Sequence, residues 1–367
     1  MSLTDSAGYA VSGASADSLE AFEQAAHETR CLVDDPVASV ERALAAAPEM
    51  TMAWVLKGWL HLLGTEPAGP PVAHDCIAAA TPLPANERER AHLDALAKLA
   101  AGRWHAASRA LEDLSIAWPH DALALQVGHQ IDYFTGNARM LRDRIARALP
   151  AWDRGQPGYH ALLGMHAFGL EESGDYEQAE RQGRRSVALE PRDGWGWHAV
   201  AHAMEMRNRA GDGVDWLRPN ADHWSPGSFL AVHNWWHLAL FELELEHVDE
   251  ALRLFDGPIH GARSTVVLDM IDASSMLWRL YLRGVELGDR WQTVADGWAP
   301  IAGAGNYAFN DLHAMMAFVG SGRRNAQEQV LEAQRAALES DGDNAAFTRE
   351  VGMPACLAFR AFGDGDY

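Results

Sequence analysis

Three glycines recur along the chain at repeat spacing: Gly102, Gly136 and Gly174, 34 and then 38 residues apart. Gly102 is followed five residues on by Ala107 and then by Pro119, and Gly174 by Ala179 and Pro191 at the same offsets, while Gly136 has Leu141 at the alanine position. Self-similarity at this period confines a chain to small units that cannot bury an apolar face alone and must stack on their neighbours. A small residue lets two helices approach closely, and a proline ends the second of them. Between these marks, apolar residues recur at three and four rather than alternating, as in residues 86–100, 104–116 and 159–172. That periodicity predicts amphipathic helices, not strands.

A helix-turn-helix of 34 residues with a closing proline is the tetratricopeptide pattern. The expected fold is all-α: a tetratricopeptide-like α-solenoid of antiparallel helix pairs, curled or closed in its C-terminal half. The clearest repeats fall at 88–121, 122–155, 160–193 and 194–228, with Ala95, Ala167 and Ala201 at the eighth position. Past Gly194 the match degrades, since Trp236 and Ile271 take the eighth position of the next two units. Residues 1–16, rich in Ser, Gly and Ala, read as a flexible tail, and 17–365 as a single solenoid domain.

Charge narrows the partners. Lys plus Arg number 30 against 51 Asp plus Glu, a formal charge of -21. Phosphate contacts need clustered cations, so no nucleic-acid partner is expected, and an acidic protein is a poor match for anionic membranes. No apolar run approaches the ~20 residues that span a bilayer. The first basic residue is Arg30, too late for a secretory leader. Cys31, Cys76 and Cys356 are odd in number and far apart, which argues against a disulfide framework and for a cytoplasmic location.

The usual short catalytic signatures are missing, phosphate loop, nucleophile elbow and H-E-x-x-H among them. Histidine carries the chemistry instead. His198, His202 and Glu205 stand at i, i+4 and i+7, which places them on one helical face. His233 and His237 repeat the i, i+4 pair 35 residues later, and Asp272 follows His237 by another 35. In a tetratricopeptide array such positions line the concave face. The candidate catalytic residues are therefore His202, His237 and Asp272. Candidate substrate contacts are His198, Glu205, His233, Trp235, Arg279 and His313. Arg279 lies seven residues after Asp272, on its face, placed to clamp a carboxylate. Asp269 is one turn from Asp272; His129 with Asp132, and Asn310 with His313, are further one-turn pairs. His160 and His166 are six apart and share no face.

At these residues the chain resembles the tetratricopeptide repeat protein 38 family. The resemblance rests on residues 198–206, 233–241 and 272–280, on Gly288-Asp289-Arg290-Trp291, on Phe309-Asn310-Asp311-Leu312-His313 and on residues 167–172. It covers roughly residues 155–320. It implies an all-helical repeat fold of cytosolic type and no particular reaction.

Three readings of the histidines follow. A metal-free polar pocket uses them as hydrogen-bonding or acid–base groups. A divalent metal, not favoured, is held by His202, His237 and Asp272. A polar core without ligand uses them only to satisfy buried partners. The preferred expectation is an inward-facing pocket for a small molecule or short peptide, with catalysis an open question. The alternatives are a peptide- or protein-binding scaffold and a metal-dependent enzyme. Scaffold grooves favour Lys, Arg and Asn, and only Lys57 and Lys98 are lysines here.

Overall fold

Each of the repeated glycines closes a helix in the computed structural model, which describes residues 3–366. Gly102, Gly136 and Gly174 have φ of 72°, 67° and 84°, a left-handed conformation that glycine adopts without steric cost. The N–H of each following residue donates back across the turn, Arg103 to Lys98 O, Asn137 to Asp132 O and Asp175 to Leu170 O, at 2.8–2.9 Å. This is the Schellman stop, which satisfies carbonyls the helix end leaves open. The same turn recurs at Asn208, Glu246, Gly284 and Gly322, all with positive φ. Arg209, His247, Val285 and Arg323 make the matching back-bonds.

The helices so punctuated form antiparallel pairs. In the first half these are α1 (Ala16–Cys31) with α2 (Pro36–Ala46), α3 (Thr51–Leu63) with α4 (Gly69–Ala80), and α5 (Glu87–Ala100) with α6 (Trp104–Ala117). Then come α7 (Ala122–Phe134) with α8 (Ala138–Ala148), α9 (Tyr159–Glu171) with α10 (Tyr176–Leu189), and α11 (Gly194–Met206) with α12 (Ala210–Leu217). After α13 (Ala221–Trp224), the chain continues as α14 (Ala231–Glu244), α15 (Val248–Leu254), α16 (Val267–Leu282), α17 (Arg290–Trp298), α18 (Ala308–Gly320), α19 (Arg324–Leu338), α20 (Asp343–Phe347) and α21 (Met353–Asp364). None of the described helices is long and apolar enough to cross a membrane.

These elements pack as two units. The first takes the chain through Leu63 and again from Ala68 to Asn234; the second takes Gly64–Pro67 and the chain from Trp235 onward, so the division falls inside α14.

In the first unit the repeated Pro-x-Asp segments tie one hairpin to the next. Asp121 caps α7 by accepting from Ala124 N at 2.9 Å, and also meets His92 Nε2 at 2.9 Å and Arg88 Nη1 at 3.3 Å. Asp193, at the equivalent place, caps α11, meets His160 Nδ1 at 2.7 Å and accepts from Ser186 Oγ at 2.8 Å. His92 and His160 are thus joints of the scaffold. Trp152 and Trp197 donate from Nε1 to Pro119 O and Pro191 O, each at 2.8 Å. The apolar core between α7, α8, α9 and α11 is built on Leu125, Leu141, Ile145, Leu162, Phe168 and Trp195. Beside it Asp132 pairs with Arg144 at 2.8 Å, both side chains wholly buried, and Ser108 Oγ donates to Asp132 at 2.7 Å. Gly128 is small because a Cβ there would lie 2.7 Å from the Arg144 guanidinium. Asp132 therefore serves this buried pair rather than a ligand-binding wall.

Residues 3–11, read from composition as part of a loose tail, form an antiparallel hairpin, β1 (Leu3–Thr4) with β2 (Ala10–Val11). Polar contacts hold it: Asp5 to Arg88 at 2.8 Å, and Ser12 N donating to Glu89 Oε1 at 2.7 Å. Composition alone does not register partners that lie some 80 residues away.

In the second unit the Gly64–Pro67 loop is an integral strut. Asn306 and Asn310 donate from Nδ2 to Thr65 O at 2.8 and 3.0 Å, and Val267 N donates to Glu66 at 2.7 Å. Asn310 is thereby a structural partner of Thr65. Trp278 packs against Trp291, Phe359 and Phe362.

Candidate histidine site

Helix α11 begins at the Asp193 cap, and that start sets which residues share a face. His198 and His202 lie one turn apart with ring centroids at 4.3 Å, and Glu205, half-buried, lies a turn beyond. His198 is 4% exposed. Phe168 of α9 stacks on His198 at 5.1 Å and meets His202 edge-on at 5.4 Å, so both imidazoles are held from one side. Trp195 packs on His198 at 5.4 Å.

Two further elements bring polar groups to these rings. His233, in the first turn of α14, puts Nε2 3.0 Å from His198 Nε2, with ring centroids at 4.7 Å. Glu171, the last residue of α9, puts Oε2 3.3 Å from His202 Nδ1 and is 5% exposed. Glu172 stands next to it, and ligand atoms of Glu171, Glu172 and His202 all lie within 4.8 Å of one another. Burial raises the Glu172 carboxyl pKa, and the negative charge of Glu171 raises it further against the opposing pull of His202. The first unit thus brings three of the expected residues, His198, His202 and His233, to one place.

The other expected residues, Glu205 apart, belong to the second unit. His237 stands one turn after His233 on α14, 2% exposed, with Trp236 edge-on at 5.0 Å. Trp235 is half-buried. Asp272 on α16 is buried. Arg279 is exposed, its guanidinium 5.0 Å from the Trp236 ring centre and its Nη1 donating to Ser275 O at 3.2 Å. His313 on α18 has Nδ1 2.9 Å from Phe309 O. Burial pushes the His313 pKa down to about 4; Phe309 O and Asp272 oppose that and Arg279 adds to it. Asp272 and Arg279 therefore both act electrostatically on His313 within this unit.

Sequence reasoning missed Glu171, Glu172 and Phe168 as site residues. They end the first helix of the preceding hairpin, and no i, i+4 pattern links them to His202. A second group escaped it too: His27, Cys31 and His160 have ligand atoms within 4.8 Å of one another. There His160 is already held by Asp193, and burial raises the Cys31 thiol pKa.

No known protein-family model matches the chain. Among solved structures it is similar to a Rap protein complexed with competence and sporulation factor, at 11% identity and a TM-score of 0.51, covering 93% of this chain and 98% of that one. It is also similar to the apo form of RapI, at 11% identity and a TM-score of 0.44 over 89% and 98% of the two chains. The Cut9–Hcn1 assembly of the APC/C aligns at 9% identity and a TM-score of 0.42 over 95% and 74%. In fold, this chain is a tetratricopeptide-like α-solenoid protein.

Proposed function

We propose that this helical-repeat protein binds a small molecule through the His198, His202 and His233 face of its first unit. The observation that carries this is the convergence of three imidazoles and the buried Glu171 carboxylate from three separate helices. Buried polar groups cost stability unless hydrogen-bonded, and binding sites are where a fold carries such costs. Glu205 extends that face by one turn. His202 is the candidate acid–base group of that face; taken by itself, the second unit carries His237 and Asp272 as acid–base candidates and Trp235, Arg279 and His313 as contact candidates. Arg279 suits a carboxylate or other anion. The three buried cysteines, none in a disulfide, support a reducing compartment such as the cytoplasm. The resemblance to the tetratricopeptide repeat protein 38 family supports a cytosolic setting and is silent on reaction.

A second reading is a peptide- or protein-binding scaffold without catalysis. It is supported by the Rap structure of similar fold, which holds competence and sporulation factor.

A thermal-shift screen of small organic acids and other metabolites on the full chain tests the proposal. A hit that raises Tm in the wild type and loses its effect in His198→Ala and His233→Ala supports it. A hit whose effect survives both substitutions refutes that location. Capture of a peptide by variants and wild type alike favours the scaffold.

A further inference from the structure

We infer that His198, His202 and His233 form a binding site for a divalent first-row transition-metal ion, Zn²⁺ foremost, with Glu171 as the outer partner that orients His202. The inference deepens the ligand-binding reading and shares its location, but needs no organic ligand.

Three imidazoles offer ligand nitrogens that all lie within 4.8 Å of one another. His198 Nε2 and His233 Nε2 face each other at 3.0 Å. A tetrahedral ion with Zn–N bonds of ~2.0–2.1 Å holds its nitrogens about 3.3 Å apart. Seating an ion between these two rings therefore asks for an opening of only a few tenths of an ångström, well within side-chain adjustment. His202 completes the set from the next turn of α11.

Glu171 Oε2 lies 3.3 Å from His202 Nδ1. A carboxylate on Nδ1 keeps the proton there and leaves ligation to Nε2, the carboxylate–histidine–metal arrangement. Glu172 adds a second acidic group at the same ring. Phe168 backs His198 and His202, so their orientations are held by packing. The rings are thus placed before an ion arrives, which lowers the cost of binding.

Selectivity follows from the donors. Imidazole suits Zn²⁺, Co²⁺, Ni²⁺ and Cu²⁺, whereas Mg²⁺ and Ca²⁺ seek oxygen.

Metal-stripped, tag-free full-length protein titrated with Co²⁺ tests this. One equivalent should bind with visible d–d bands, and Zn²⁺ should displace it. His198→Ala, His202→Ala and His233→Ala should each remove the tight site. Glu171→Gln should weaken it about 10–100-fold. His27→Ala, in the other histidine group, should leave it unchanged. X-ray absorption of the zinc-loaded wild type gives an answer independent of variant folding: it should count at least three imidazole nitrogens. Failure to bind one equivalent, fewer than three imidazoles, or a sulfur-to-cobalt charge-transfer band that survives His233→Ala would each overturn the inference, the last placing the ion at Cys31. If metal binds and no metabolite does, the metal site stands and the small-molecule reading falls. If a metabolite needs His198 and no metal binds, the reverse holds.

Discussion

Asp311 is a buried carboxyl whose pKa is raised to about 7, because burial penalises its charged form more than Gln334 supports it. A folded pKa above the unfolded value means that its contribution to stability is fully present below about pH 4 and is lost as pH rises through 7. Asp311→Asn, neutral throughout, should therefore be more stable than wild type at pH 8, by on the order of 2 kcal/mol. The gap should close towards pH 4, and equal denaturant midpoints at both pH values would contradict it. His129 has the opposite sign. Burial holds its pKa down to about 3, with the charges of Arg144 and His166 adding to the effect and Met165 O opposing it. Its contribution is present above about pH 6.5 and lost as pH falls through 3. Acid titration of Tm should accordingly be shallower in His129→Gln between pH 6.5 and 4, and an unchanged slope would count against a neutral buried imidazole.

At the level of elements, the turns and helix contacts separate two costs of adding a methyl group. Gly136 has φ 67° and open space around its missing Cβ, so Gly136→Ala pays only for left-handed backbone, about 1 kcal/mol. Gly169 lies in α9 against α8, where a Cβ would stand 2.5 Å from Arg142 N and Leu141 C, backbone atoms that cannot swing aside. Gly169→Ala should cost more, about 2–3 kcal/mol, and chemical denaturation should rank the two in that order. Glu246 holds the left-handed position with φ 63° and is exposed. Glu246→Gly should stabilise by about 0.5–1 kcal/mol, since glycine adopts that conformation without the Cβ penalty. A loss of stability would mean that the turn is not strained.

For the molecule as a whole, a formal charge of -21 sets a general response. Self-repulsion of so many carboxylates disfavours the compact state, and salt screens it. Raising NaCl from about 10 to 150 mM should raise Tm, while a fall would show that ion pairs such as Arg192–Asp34 outweigh the net repulsion.

Helical pairing was legible in the residues because a Schellman stop wants glycine, and Gly102, Gly136 and Gly174 announce it. The same turn at 208 and 246 is silent in the sequence, since Asn208 and Glu246 occupy a conformation that residue identity does not advertise. This adds to the loss of the small eighth-position residue at Trp236 and Ile271 in fading the pattern after Gly194, while the helix pairs go on. The His198–His202 pair was legible for a local reason: i, i+4 spacing on a helix fixes a shared face whatever surrounds it. Asp132 and Asn310, one-turn partners of His129 and His313 in the sequence, are held instead by Arg144 and Thr65, contacts that no local spacing foretells. Sequence by itself therefore determined periodicity, helix ends and single-helix faces, all of which depend on backbone geometry within a few residues. Only tertiary packing decided that His233 meets His198 and that Glu171 meets His202. Those contacts join residues 35 and 31 apart, and their distance is set by how neighbouring helices pack.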